Sequence, residues 1–146
     1  MEYAMELRDL RKEYKQFTLD NINLSLPMGS IMGFIGENGA GKSTTIKAML
    51  GLIRPDGGSI RLLGQDPTRD RSVMEQVGTV LDAGFSPPEM NPQQLGRSLS
   101  RIYKGWDPAA YEEYLQRFEI DRGKKVKELS RGMVMKLSLA VALSHG

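Results

Sequence analysis

The chain has 146 residues, of which 40% are hydrophobic and 26% charged, and this composition excludes a disordered or fibrous protein. Its length suits one domain or part of one. A net charge of +2 is too small for the broad basic surface of most nucleic-acid binders, so we expect no nucleic-acid partner. The lack of cysteine excludes disulfides and thiolate metal sites and favours a cytoplasmic location. No stretch approaches the roughly eighteen apolar residues that span a bilayer, so we expect no direct membrane insertion.

The first part of the chain is rich in strand patterns. Strands are predicted at residues 4–10, 18–26, 30–35, 59–63 and 77–81. The first two are separated by a charged turn, and the third is apolar enough to be covered on both faces. A helix with one apolar face is expected over residues 43–50, ended by Gly51, and a short helix over 68–76, capped by Thr68.

From residue 85 the chain reads as a proline-rich loop followed by helices. One helix is predicted over residues 93–103, and Asp107 is a good cap for the next, which has proline in its first position. Ser130 can cap a last helix with apolar residues at helical spacing. We expect Trp106 to pack in the core and His145 to be a solvated helix end.

Residues 36–43 match the P-loop pattern of glycine, four residues, glycine, lysine, and serine or threonine. Glycines let the backbone amides converge on an anion, and the following helix adds its positive end. Lys42 supplies a charge for the β- and γ-phosphates, and the Ser43 hydroxyl can bind Mg²⁺. A mere glycine-rich turn is the alternative, but the loop follows a predicted strand and precedes a helix, so we expect it to bind Mg-ATP. The expected nucleotide contacts are Gly36, Asn38, Gly39, Ala40, Gly41, Lys42, Ser43 and Thr44.

The P-loop, the upstream Tyr14 and the segment Leu129 to Met133 together resemble the ATP-binding subunit of ATP-binding cassette (ABC) transporters. The resemblance covers nearly the whole chain. It implies an α/β P-loop NTPase fold of the ABC type, with an N-terminal antiparallel β region, a helical signature subdomain and an incomplete core sheet. Residues 1–146 would then be the N-terminal part of the domain, with the β region and P-loop core at 1–82 and the helical segment at 83–146.

The resemblance implies a site shared between two subunits that face head to tail. Ser130 and Gly132 would close over the γ-phosphate held by the P-loop of the other copy, assisting catalysis together with Lys42. The family's usual Leu-Ser-Gly-Gly-Gln is replaced at Arg131 and Met133, so only the roles of Ser130 and Gly132 are carried over. The alternative for Ser130 is an ordinary helix cap, and both roles are compatible.

Two further positions take roles from the resemblance. Tyr14 would stack on adenine, with Phe17 as its rival and packing at a strand end as the structural alternative. Asp82 stands where the family has a glutamine, and a carboxylate there would bind the metal or couple to a partner. An exposed loop aspartate is the alternative. The stretch 85–95 would face the membrane partner.

The resemblance also implies a transmembrane permease partner and a location at the inner face of the cell membrane. The Asp82 variant and the changed signature resemble bacterial drug and peptide export subunits, and the residues leave import and export both open. The 146 residues contain no apolar run followed by an aspartate-glutamate pair, so we expect a truncated chain that binds ATP but is nearly inactive, whereas its parent hydrolyses ATP. A soluble ABC ATPase acting on ribosomes or DNA and a non-hydrolysing regulatory module are the alternatives.

Overall fold

The computed structural model describes residues 2–80 and 86–145. The chain divides into two compact units, Met1–Met74 and Glu75–Gly146. The predicted boundary after residue 82 falls outside the described residues, so it stays a prediction.

The first unit is built on a three-stranded antiparallel sheet with the order β2-β1-β3. Its strands are β1 (Tyr3–Tyr14), β2 (Phe17–Pro27) and β3 (Gly57–Leu62). Leu7 of the central strand pairs with Leu24 on one side and Ile60 on the other. The buried side chains of the sheet are Leu7, Leu10, Leu19, Ile60 and Leu62. The predicted antiparallel β region is thereby confirmed.

The first strand is longer than the sequence predicted. Residues 11–14 were expected in a charged turn, but they continue β1, and the turn is confined to residues 15–16. The charged side chains remain at the surface while the backbone pairs, with Glu13 opposite Thr18. The charged residues at 11–14 therefore indicate solvent-facing positions of the strand and not the end of the strand.

Two predicted strands, at residues 30–35 and 77–81, are absent from the described part of the chain. Residues 30–37 and 77–80 have no regular secondary structure, and Ile31 and Ile35 are 101% and 93% exposed. A strand exists only when a neighbour completes its hydrogen bonds, and each described strand pairs only within the antiparallel sheet. Both strand predictions were therefore wrong for the described residues, which are apolar but have no paired neighbouring strand.

The helical parts of the first unit differ from their predictions in detail. The helix α1 (Lys42–Met49) begins one residue early and buries Thr45 and Ala48, whereas Ile46, predicted on its apolar face, is 40% exposed. The predicted helix at 68–76 is a 3₁₀ helix, Arg71–Gln76. Thr68 does not cap it, because the helix begins only at Arg71 and Asp70 accepts from the Ser72 amide, while the Thr68 hydroxyl donates to the Asp66 carboxylate at 2.6 Å.

The second unit is a helical cluster around one core. Its helices are α2 (Pro92–Leu99), α3 (Pro108–Arg117) and α4 (Arg131–Ala142), with a 3₁₀ helix at Val126–Glu128. The buried core residues are Leu95, Leu99, Tyr111, Leu115, Ile120, Val126, Leu137 and Ala140. Asp107 caps α3 by accepting from the amides of Ala109 and Ala110, as predicted. The predicted helix at 93–103 is shorter, and Asn91 caps it in a reciprocal box with Gln94.

The single tryptophan and the single histidine both pack in this unit. Trp106 lies against the core with its ring centroid 5.0 Å from that of Tyr111, which confirms its predicted packing role. His145 stacks on Tyr103 at 4.2 Å with nearly parallel rings. The prediction of a solvated helix end was therefore wrong, because helical periodicity gives no sign of an aromatic partner 42 positions away along the chain.

Candidate functional site

The loop at residues 36–43 has the backbone conformation that its glycines allow. Gly39 and Gly41 have φ angles of +87° and +95°, in the left-handed region that other residues rarely adopt. A Cβ on Gly39 would meet nothing within 4 Å, so this side of the loop is open to a ligand. A Cβ on Gly41 would lie 2.6 Å from Leu19 Cδ1 and 3.0 Å from Phe17 Cζ. One glycine thus keeps the loop open, and the other lets it pack against β2.

Lys42 closes over its own loop. Its ammonium group donates to the carbonyl oxygen of Gly36 and to that of Glu37, the latter at 2.7 Å. The Ala40 amide also donates to the Glu37 carbonyl, at 3.2 Å, which folds the loop into a turn. Among the described residues, the positive charge of Lys42 therefore has only neutral hydrogen-bond partners. An anion that entered the loop would offer Lys42 a stronger, charge-assisted hydrogen bond.

The loop runs directly into the N-terminus of α1. Gly41 occupies the cap position and has no side chain to accept from the first amides of the helix. The Thr45 hydroxyl and amide both donate to the Gly41 carbonyl, at 2.9 and 2.8 Å, and hold the first turn in place. The amides of the first turn and the helix dipole consequently favour an anion at this end.

The Ser43 side chain is exposed in the first turn of α1. Its hydroxyl suits Mg²⁺, which prefers oxygen ligands and keeps several waters. No group of three acidic or histidine side chains that could hold a metal occurs among the described residues. The chemistry of this donor set therefore fits Mg²⁺ that arrives with phosphate oxygens, and does not fit an independent protein cage.

Two aromatic residues lie at the tip of the β1–β2 hairpin, and of the two Phe17 lies beside the loop, at Gly41. Tyr14 and Phe17 are paired across the turn, and the Lys12 ammonium is 5.7 Å from the Tyr14 ring centroid. Tyr14 is 47% exposed, which leaves ring surface free for stacking, whereas Phe17 faces Gly41. The contact of Phe17 and Leu19 with the loop was missed from the sequence. Its only signal is the two-residue spacing that puts both side chains on one face of β2.

The second unit carries the segment Leu129 to Met133 at the start of α4. Ser130 caps the helix, since its Oγ accepts from the Met133 amide at 3.2 Å. Gly132 is exposed, and a Cβ there would meet nothing within 4 Å. The predicted capping role of Ser130 is confirmed, and the open space at Gly132 leaves room for another molecule. Asp82 lies outside the described residues, so its metal or coupling role stays a prediction.

Within residues 2–80 and 86–145, no helix is long and apolar enough to cross a membrane.

The family model described as ABC transporter matches residues 19–146 of the chain. The chain is similar to the bacitracin transport ATP-binding protein BcrA of Enterococcus faecalis, with 31% identity over 99% of the chain and 48% of the relative. It is 37% identical to the Nod factor export ATP-binding protein I of Cupriavidus pinatubonensis, over 95% of the chain and 45% of the relative. The chain therefore spans about half the length of these curated relatives.

Solved structures agree with this result. The structure of an ATP-binding subunit of an ABC transporter superposes with a TM-score of 0.82 and 26% identity, over 94% of the chain and 60% of that structure. A dimeric ATP-binding cassette in a post-hydrolysis state, bound to ADP and Pi, superposes with a TM-score of 0.78 and 22% identity, over 96% of the chain and 69% of that structure. The second likeness shows the fold alone, which is that of a P-loop NTPase.

Proposed function

The chain belongs to the ABC transporter family, and we propose that it binds Mg-ATP as part of a transporter's ATP-binding subunit. The observation that carries this proposal is the geometry of the loop at residues 36–43, in which two glycines are left-handed, the space beside Gly39 is open, and Lys42 donates to neutral carbonyls. The loop amides and the N-terminus of α1 would bind the phosphates, and Lys42 would leave its carbonyl partners for the β- and γ-phosphates. Asn38, Ala40 and Thr44 would complete the contacts.

Ser43 would hold Mg²⁺ through its hydroxyl, together with the phosphates. When bound, the metal ion would neutralise charge on the β- and γ-phosphate oxygens. Tyr14 would stack on the adenine, because its ring is half exposed at the hairpin tip, whereas Phe17 is turned toward Gly41.

A second copy of the chain would complete the site. Ser130 and Gly132 of that copy would contact the γ-phosphate, the serine through its hydroxyl and the glycine through the close approach that its missing side chain permits. The open space around Gly132 supports this arrangement. A solved relative of the same fold is described as dimeric.

The whole protein would couple ATP to transport through a separate membrane permease, and would lie at the cytoplasmic face of the membrane. Relatives named for bacitracin transport and Nod factor export favour an exporter. We further propose that the whole protein hydrolyses ATP, while these 146 residues by themselves hydrolyse it very slowly. They contain no apolar run followed by an aspartate-glutamate pair that could position the attacking water.

Disulfide trapping tests the two-copy site, because the chain contains no cysteine of its own. One copy would carry Asn38→Cys and a second, differently tagged copy Ser130→Cys. We expect a mixed disulfide dimer that forms faster with Mg-ATP than without it. The control pairs Asn38→Cys with Ser100→Cys, at an exposed position after α2. Equal trapping of both pairs, or trapping that ignores nucleotide, would refute the head-to-tail site.

A further inference from the structure

The loop at residues 88–90 is hydrogen-bonded to the backbone just before residues 129–133, which we call the signature segment. The Val126 amide donates to the Met90 carbonyl at 2.9 Å, and the Lys127 amide donates to the Pro88 carbonyl at 3.1 Å. These two bonds join residues 88–90 to residues 126–127. Only two residues then separate Lys127 from Ser130.

The side chain of Glu89 joins the same two segments. One carboxylate oxygen lies 2.8 Å from the Lys127 ammonium and the other lies 3.1 Å from the Lys125 ammonium. The hydrogen bonds from Lys127 and Lys125 lower the pKa of Glu89. Without this carboxylate, two like charges would face each other on the 3₁₀ helix and its cap. We call Glu89, Lys125 and Lys127 the clamp.

The loop that carries Glu89 is anchored beyond the clamp. Asn91 caps α2, and the Pro92 carbonyl accepts from the buried Tyr111 hydroxyl at 2.9 Å. On the other side, Val126 is buried and Leu129 packs on the core. Loop and signature segment are therefore held to one core, so that a shift of the loop at residue 89 can reach Ser130 through few residues.

We propose that Glu89 is a positioning residue for Ser130, acting through Lys125 and Lys127. The clamp fixes the 3₁₀ helix Val126–Glu128, and that helix sets where the cap of α4 begins. This inference rests on the proposed function, because it gives Ser130 a contact with a second copy. The contact would then depend on a loop that lies outside the signature segment, and a partner that moved residues 86–91 would move Ser130.

Hydrogen exchange of the single chain tests the positioning directly. In Glu89→Gln we expect the Val126, Lys127 and Met133 amides to exchange about two- to fivefold faster at low salt, the range for an exposed ion pair. Glu113→Gln is the matched control, since Glu113 is exposed and has no ion pair among the described residues. The difference from the parent should shrink at about 0.5 M salt, where the pairs are screened. A merely local role would leave Met133, whose amide donates to Ser130, unchanged, and that result would overturn the proposal.

A charge exchange and disulfide trapping complete the experiment. The variant Glu89→Lys with Lys125→Glu and Lys127→Glu reverses the clamp, and we expect it to restore slow exchange at Met133. In the trapping assay, Glu89→Gln in the Ser130→Cys copy should slow the Mg-ATP-dependent disulfide by about the same two- to fivefold factor. If trapping succeeds in the parent and is unaffected by Glu89→Gln, the positioning role is wrong and the proposed function stands. If the chain with Glu89 unchanged is not trapped but the Met133 amide still exchanges faster in Glu89→Gln, the two-copy site is wrong and the positioning role of Glu89 stands.

Discussion

At the scale of single residues, the glycines of the loop have different tasks although the sequence pattern treats them alike. Gly39 and Gly41 both need a positive φ angle, but only Gly41 lies against β2. The motif predicted the conformation, since only glycine adopts it readily. It could not predict the contact with Leu19, because that contact depends on how the sheet places a strand beside the loop.

Substitution by alanine separates these two tasks. We expect Gly39→Ala to lower the free energy of unfolding by about 1–2 kcal/mol through backbone strain alone. Gly41→Ala should lower the free energy of unfolding by about 2–4 kcal/mol, because the new methyl group would overpack against Leu19 and the backbone would be strained as well. Urea unfolding followed by circular dichroism would measure both, and equal losses would contradict the close packing at Gly41.

The buried hydroxyl of Tyr111 gives a second prediction at this scale. Tyr111→Phe leaves the Pro92 carbonyl without its hydrogen-bond donor, so we expect the free energy of unfolding to fall by about 1–3 kcal/mol. Burial raises the pKa of Tyr111. Below pH 10 the tyrosine is neutral in both states, but at higher pH the unfolded chain ionises first, and the stabilisation is progressively lost. The difference in the free energy of unfolding between the unsubstituted chain and Tyr111→Phe should therefore become smaller above about pH 10. Tyr114→Phe is the control, and an advantage that is constant with pH would contradict the assignment.

At the scale of elements, the helix caps Asp107 and Ser130 were predictable, whereas the cap at Thr68 and the apolar face of α1 at Ile46 were not. Asp107 and Ser130 cap their helices as predicted, because a cap depends on a few residues close in sequence. The strand predicted at residues 30–35 is not formed among the described residues, because pairing depends on distant segments. The two confirmed caps depend on neighbouring residues, whereas a strand needs a partner that the local sequence does not show.

The packing of α2 on α3 depends on Gly96. A Cβ there would lie 2.5 Å from Tyr111 Cε1, and this ring is buried and bonded through its hydroxyl, so it cannot move aside cheaply. Alanine at this position would stabilise the helix by about 1 kcal/mol through its higher helix propensity, but overpacking would cost about 1–3 kcal/mol. We therefore expect Gly96→Ala to lower the free energy of unfolding of the second unit. Trp106, which packs against Tyr111, reports unfolding by its fluorescence. Gly123→Ala, in an exposed loop, is the control, and a stabilised Gly96→Ala would contradict this packing.

At the scale of the whole molecule, family and fold could be predicted because two motifs occur in the right order along one chain. The P-loop lies in the first unit and the signature segment in the second. The clamp around Glu89 could not be predicted, since it joins residues that are 36 and 38 positions apart without a recognisable motif. The sequence thus allowed a prediction of the residues that we propose contact ATP, but not of Glu89, which we propose positions Ser130.

The central claim is that the loop at residues 36–43 binds the phosphates of Mg-ATP, and titration calorimetry tests it most directly. We expect the parent to bind Mg-ATP, and Lys42→Ala to bind it at least about tenfold more weakly, the loss of one charge-assisted hydrogen bond. Lys47→Ala, which removes an exposed lysine from the last turn of α1, should bind like the parent. Equal affinity of Lys42→Ala and the parent, or no binding by the parent, would contradict the claim.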